Sequence, residues 1–310
     1  MTDVLHERPS TPRSDHLGTA LSDRPGTRPP TPRRRLAGRP GRFSSVAGWV
    51  VLVIAAIGVL FPIYYAVVGS VMGPGDLASY PPSLFPHSLH LENLRNVFSV
   101  IPLGRQYLNS VLQAGLITLS QLVTSVLAAY AFVFLPMRWR AGIFSIFLAT
   151  LMVPWESIIL PNYLLISGWG LANTLPGLIL PFLVNAFGVF LLRQSFLQFP
   201  RELHDAARVD GCGHLRFLWR ILLPLQKPAL AAVAVYVFLS AWNQYFWPLL
   251  ITSTPTMQTL QIGITQLSNA EAADPGLILA GVVLSVLPTL ALVIFGQRFI
   301  VRGLIAGSSR

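Results

Sequence analysis

Between Arg201 and Pro224 the chain reads RELHDAARVDGCGHLRFLWRILLP, a charged stretch set between long apolar segments. Leu203, Ala206 and Ala207 stand at helical spacing, with Glu202 and Asp205 early in the same turn. Carboxylates near a helix start interact favourably with its dipole, and Pro200 supplies a start signal. Gly211 lets the backbone turn, and Ala206, Ala207 and Gly211 are small enough to admit another protein surface. Arg208, Asp210 and Arg216 offer charge to such a surface, or stand as solvated charges. Phe217, Leu218 and Ile221 are expected to pack on the membrane domain, and Pro224 marks re-entry into the bilayer. The chemistry on offer is recognition, not bond making. An ordinary cytoplasmic surface helix is the alternative that these residues alone leave open.

A second set of polar residues stands inside apolar runs: Glu156, Asn185, Asn243 and Gln244. Lipid supplies no hydrogen bonds, so such groups need partners or a lined cavity. Asn243 and Gln244 are suited to donate to hydroxyl or phosphate oxygens, while Trp242, Tyr245 and Trp247 are suited to stack on a sugar face. On a continuous helix all five cannot face one cavity. Trp247 serves equally as an interface anchor, and Asn185 and Glu156 serve equally as interhelical hydrogen-bonding groups. No HExxH, Walker A, GxSxG or dinucleotide motif occurs, and the single Cys212 excludes an internal disulfide or a CxxC site. Neither a catalytic residue nor a metal site is expected in this chain.

The elements that must position these residues are membrane helices. Apolar residues make up 53% of the 310 and charged residues 11%, whereas soluble domains carry about a quarter charged. An all-α polytopic fold is therefore expected. Spans are predicted over about residues 43–70, 107–135, 142–160 (interrupted by Pro154), 175–196, 228–250 and 275–295. Pro161 and Gly168-Trp169-Gly170 mark an outer turn, and a short interfacial helix is expected near Leu91–Phe98. Residues 1–42 hold seven prolines and nine arginines, a basic tail expected to be disordered and drawn to anionic lipid. Of the 22 Arg and Lys residues, only Arg95 and Arg105 fall on the side assigned as exterior. That bias predicts both termini cytoplasmic and an even number of spans, with which the six agree, and it explains the net charge of +10 without a nucleic-acid partner.

Asp205-Ala206-Ala207, three residues, Gly211, nine residues, and then Ile221-Leu222-Leu223-Pro224 resembles the EAA signature of importer permeases in the ATP-binding cassette superfamily. The departure is Asp205, where the family usually has Glu; charge is kept and reach is one methylene shorter. The resemblance covers about Leu52 to Gly303. It implies a six-span type I importer subunit (43–303) followed by a cytoplasmic tail (304–310), with 200–224 as the coupling loop. It further implies a second permease of the A type, two ATPase subunits that hold ATP and magnesium, and an extracellular or periplasmic solute-binding protein or lipoprotein. Glu202 to Gly211 would carry ATPase closure to the spans, with Ile221, Leu223 and Pro224 holding the far end.

Met152–Glu156, Phe190–Gln194, Gln297–Leu304 and above all Trp242–Leu250 are similar to the carbohydrate and glycerol-phosphate branch, especially to E-type permeases of sn-glycerol-3-phosphate uptake. That resemblance implies glycerol 3-phosphate or a glycerophosphodiester as solute, with a sugar as the alternative. No Arg or Lys lies near the middle of a predicted span, which suits a neutral sugar better than a phosphomonoester. A secondary transporter or channel, and a membrane scaffold, are the other classes; the first lacks an ion relay beyond Glu156.

Overall fold

The computed structural model describes residues 42–269 and 274–306, and every regular element among them is helical. The tail expected at 1–42 lies outside the described residues save for Arg42, as do residues 270–273 and 307–310. In chain order the helices are α1 (Arg42–Gly69), α2 (Pro74–Leu77), α3 (Glu92–Val100), α4 (Leu103–Phe134) and α5 (Arg140–Thr150). They continue with α6 (Trp155–Gly168), α7 (Leu175–Ile179), α8 (Ala186–Leu197), α9 (Arg201–Val209) and α10 (His214–Phe217). The last five are α11 (Leu223–Leu225), α12 (Lys227–Trp242), α13 (Phe246–Ile251), α14 (Leu260–Asn269) and α15 (Pro275–Ala306). A 3₁₀ turn (Leu180–Phe182) joins α7 towards α8, and a π turn (Leu218–Leu222) joins α10 to α11.

The chain divides into two compact units, Met1–Ala55 and Ala56–Arg310. The described part of the first is the opening half of α1, where every residue from Gly48 to Ala55 is exposed. A helix that is apolar all round has lipid or another membrane subunit as its solvent. In the second unit α4 is central. No proline interrupts it, and it stops at Leu135, which Pro136 forces into an extended conformation. Helices α12 and α8 pack along α4, and α15 packs on α12, α14 and α3.

Among the described residues three helical stretches are long and apolar enough to cross a membrane: Gly48–Gly69, Leu103–Phe134 and Pro275–Ile294. Three bent pairs reach span length together. They are α5 with α6 (90°), the α7 segment with α8 (48°), and His214–Leu225 with α12 (81°). The chain is a multi-pass membrane protein.

Several expectations need correction. The stretch expected as the third span is two helices at a right angle, because Pro154 drives Val153 away from helical geometry and ends the run. Pro161 does not mark a turn; it lies inside α6. The turn comes at Gly170 (φ 70°) and Asn173 (φ 57°), both left-handed. The segment between the predicted fifth and sixth spans, where no helix is expected, contains α14. Its first main-chain N–H, at Leu260, donates to Ser110 Oγ of α4 at 2.8 Å, a cap 150 residues away in sequence.

The α1–α4 connection is tied by side chains. Asn93 Nδ2 donates to the Ser70 and Met72 carbonyls. The Asp76 carboxylate accepts from the His87 main-chain N–H and pairs with the His87 ring, which hold its pKa below the ordinary value.

Candidate functional site

Helix α9 has two faces. Ala207 is buried (6% exposed), and the His204 ring sits between Phe134 (5.1 Å) and Phe217 (4.9 Å). Phe199 meets Phe134 and Phe217 edge-on, and Tyr130 Oη bonds His214 Nδ1 at 2.9 Å. This aromatic cluster fixes α9 to the end of α4. Its outer face presents Glu202, Leu203, Asp205, Ala206, Arg208, Val209 and Asp210 to solvent, with Val209 88% exposed. Asp205 has the His204 ring at 3.6 Å, a pair that is ionic only when the imidazole is protonated.

The helix ends in a Schellman motif. The Cys212 N–H donates to the Ala207 carbonyl at 2.9 Å and the Gly211 N–H to the Arg208 carbonyl at 3.0 Å, with Gly211 at φ 72°. No atom lies within 4 Å of where a Gly211 Cβ would stand, so conformation alone demands glycine. Beyond it, Phe217, Leu218 and Leu222 are fully buried, while Ile221 and Leu223 are half-buried and Pro224 is exposed. The π turn stands where Pro224 withholds its N–H from the helix. The expectation that Ala207 faces a partner is thus wrong: its methyl packs inward, and Ala206 and Gly211 are the small residues left outside. A groove of about 540 Å³ beside α9 is lined by Val133, Phe134, Arg140, His204, Arg208 and His214, among others.

Inside the unit, α4 carries a stripe of buried polar residues: Gln106, Asn109, Ser110, Gln113, Gln121 and Ser125. They follow the helical repeat, and most tie down irregular backbone elsewhere. Asn109 Nδ2 donates to the Thr256 and Gln258 carbonyls, and Gln106 Nε2 to the Pro255 carbonyl. Gln121 Nε2 donates to the Phe182 carbonyl at 2.7 Å and Ser120 Oγ to the Leu183 carbonyl at 2.9 Å. A broken membrane helix frees carbonyls that lipid cannot satisfy, and the α4 stripe supplies the donors. Gly188 lets α8 approach this face; a Cβ there would come 2.5 Å from Ser125 Oγ.

The residues expected to line a solute route fall into three kinds. Trp242 and Trp247 are core. Trp247 is 1% exposed, lies 6.0 Å from Trp155 and 6.1 Å from Phe182, and donates from Nε1 to the Gly177 carbonyl at 3.2 Å. It is neither an interface anchor nor an open stacking platform. Trp242 is buried against Tyr107 and Phe238. Asn185 is a cap: its Oδ1 accepts from the Phe187 N–H at 2.7 Å and starts α8. The rest are accessible. Glu156 is exposed in the first turn of α6, and Asn243, Gln244 and Tyr245 form a break between α12 and α13. The continuous fifth-span helix expected over 228–250 does not exist, so helical periodicity does not govern which way these three point. Asn243 bonds back to the Leu239 carbonyl at 2.8 Å, and Gln244 Oε1 accepts from Gln113 Nε2 at 2.7 Å. Arg193, on α8, lies over the Phe144 ring at 4.0 Å.

Residues 121–305 match the family model for the binding-protein-dependent transport system inner membrane component. The chain belongs to this family. The permease is 36% identical over 264 residues to the sn-glycerol-3-phosphate transport system permease protein UgpE of Yersinia pestis, covering 83% of this chain and 94% of that one. It is 37% identical over 272 residues to UgpE of Rhizobium meliloti (85% and 96%), and 37% over 271 residues to UgpE of Brucella abortus (84% and 96%). Among solved structures, a bacterial ABC transporter involved in the import of the acidic polysaccharide alginate superposes with a TM-score of 0.76. It covers 83% of the permease and 96% of its own chain at 24% identity, a likeness that shows the fold alone.

The permease is accordingly a non-catalytic translocation subunit of an ABC importer. Sequence reasoning missed its α4 stripe, although Gln106, Asn109, Ser110 and Gln113 recur at three- and four-residue steps, and Gln121 returns to the same face about two turns on. That spacing was the available signal.

Proposed function

We propose that the permease imports glycerol 3-phosphate or a glycerophosphodiester, paired with a second permease, driven by two ATPase subunits and fed by an external binding protein. Residues 43–303 form six spans, counting each bent pair once, with both termini cytoplasmic and the segments 1–42 and 304–310 as tails. α9 is the coupling helix within loop 200–224. The observation that carries this reading is its two-faced packing: an outer face of Glu202, Asp205, Arg208 and Val209 on a helix whose inner face is locked into the aromatic cluster. A helix fixed at both ends passes on displacement that a floppy loop would absorb. Ile221, Leu223 and Pro224 join the far end of the loop to α12 through the π turn.

Closure of the ATPase dimer then pushes α9 and opens the route outward, and hydrolysis resets it inward. Asn243, Gln244, Tyr245 and Glu156 line the route, while Trp242, Trp247 and Asn185 hold its walls in place. The solute follows that of the three UgpE relatives, which are sn-glycerol-3-phosphate transport permeases. A neutral sugar is the second reading, favoured because no Arg or Lys occurs from residue 106 to 137, from 141 to 192 or from 228 to 297. Vesicles holding the assembled complex, given binding protein and internal ATP, are expected to accumulate glycerol 3-phosphate or glycerophosphocholine in preference to a disaccharide. Disaccharide preference would replace the solute, and uptake without the ATPase subunits would overturn the importer reading.

A further inference from the structure

We propose that Gln113 is a positioning residue that turns Gln244 so that the break after α12 offers the solute an amide N–H donor. The proposal rests on the solute route proposed above and specifies its chemistry. Four buried amides lie on α4. Gln106, Asn109 and Gln121 each donate to a main-chain carbonyl of another segment, which is scaffolding. Gln113 alone of the four donates to a side chain, and that side chain belongs to the break. Gln113 is 1% exposed, so neither water nor solute reaches it directly. Gln244 is half-exposed.

The hydrogen bond has a polarity with a chemical consequence. Gln113 Nε2 occupies Gln244 Oε1 at 2.7 Å. An amide has one carbonyl and one NH₂ group, so Gln244 keeps its NH₂ for an outside partner. A free NH₂ meets oxygens, those of a phosphate or a hydroxyl, and has nothing for a donor-only group. Asn243 commits one of its two Nδ2 hydrogens to the Leu239 carbonyl, whereas the bond from Gln113 occupies only the oxygen of Gln244. With Arg193 held over Phe144 instead of at the break, oxygen recognition at this point falls on a neutral donor.

The test uses the complete importer in vesicles with its binding protein, and reads KM and kcat for uptake. Gln113→Met fills the same volume without an amide. It is expected to raise KM for glycerol 3-phosphate about tenfold while kcat stays within about twofold, the loss of one oriented hydrogen bond to a charged oxygen. In a Gln244→Ala background the same change is expected to move KM by less than about twofold, because nothing remains to be positioned. Where the methionine variant does not assemble, Gln113→Asn, one methylene too short for the contact, gives the same comparison. An unchanged KM, or an equal effect with and without Gln244, would overturn the proposal. A parallel run with a disaccharide separates phosphate from hydroxyl as the partner: a KM shift for glycerol 3-phosphate alone assigns the phosphate, and a shift for both assigns hydroxyls. ATP-independent uptake by the unmutated complex would remove the importer reading, and this one with it.

Discussion

A Gly211→Val permease is expected to reach the membrane and yet take up solute at about a tenth of the wild-type rate or less. Gly211 holds φ 72° two residues past the end of α9, and the bonds Cys212 N–H to Ala207 and Gly211 N–H to Arg208 depend on it. A β-branched residue in that conformation is an outlier, and the strain is on the order of 1–3 kcal/mol. The chain relieves it by opening the motif, which frees the end of α9 that the proposed coupling role requires to be rigid. Nothing occupies the space of the new Cβ, so the defect arises from backbone conformation and not from a clash. Gly211→Asn separates the two causes, because asparagine tolerates the left-handed region. It is expected to keep most of the uptake that valine loses. Equal loss in both variants, read in the same vesicle assay, would show that bulk at the partner surface matters and the turn does not.

Trp247→Ala is expected to be the most destabilising single change in the core, by about 3–5 kcal/mol. The indole fills space between Trp155 and Phe182, and its N–H is the partner of the Gly177 carbonyl. Truncation leaves a void where α13 meets α6 and α7 and strips that carbonyl of its donor. Thermal unfolding of the purified complex should therefore begin at a markedly lower temperature. Trp247→Phe, which keeps most of the volume and loses only the N–H, should fall between, costing about 1–3 kcal/mol. A solute-stacking role predicts the reverse pattern: unchanged melting with impaired uptake.

What the sequence disclosed and what it hid divide along the range of the forces involved. α9 was legible because its signals are local: Pro200 begins it, Glu202 sits in its first turn, and Gly211 ends it. α4 was legible because length and hydropathy suffice. The break at Asn243–Tyr245 was not legible, because no proline or glycine stands in it; a hydrogen bond from Gln113 on α4, 131 residues away, ties down its middle residue. The same holds for α14, whose first N–H finds its acceptor on α4. The right angle between α5 and α6 was half visible, since Pro154 announced an interruption but not its direction.

The site divides in the same way. The residue types of the 201–224 segment pointed to a partner, yet only packing shows that Ala207 and His204 face inward while Asp205, Arg208 and Val209 face out. The aromatic run 242–247 suggested stacking, and the fold spends both of its tryptophans on its own core. Aromatic side chains inside a membrane bundle satisfy packing and ligand binding with the same chemistry, so type and spacing cannot separate the two roles.

Transmission of force through α9 is tested most directly by crosslinking during transport. Val209, on the outer face and well exposed, is replaced by cysteine in a Cys212→Ser background, and a short thiol-reactive crosslinker is added to vesicles that are accumulating solute. A covalent product between Val209→Cys and the ATPase subunit, lost when Gly211→Val is introduced, is the expected result. Active uptake in vesicles where that position never reaches an ATPase subunit would contradict it.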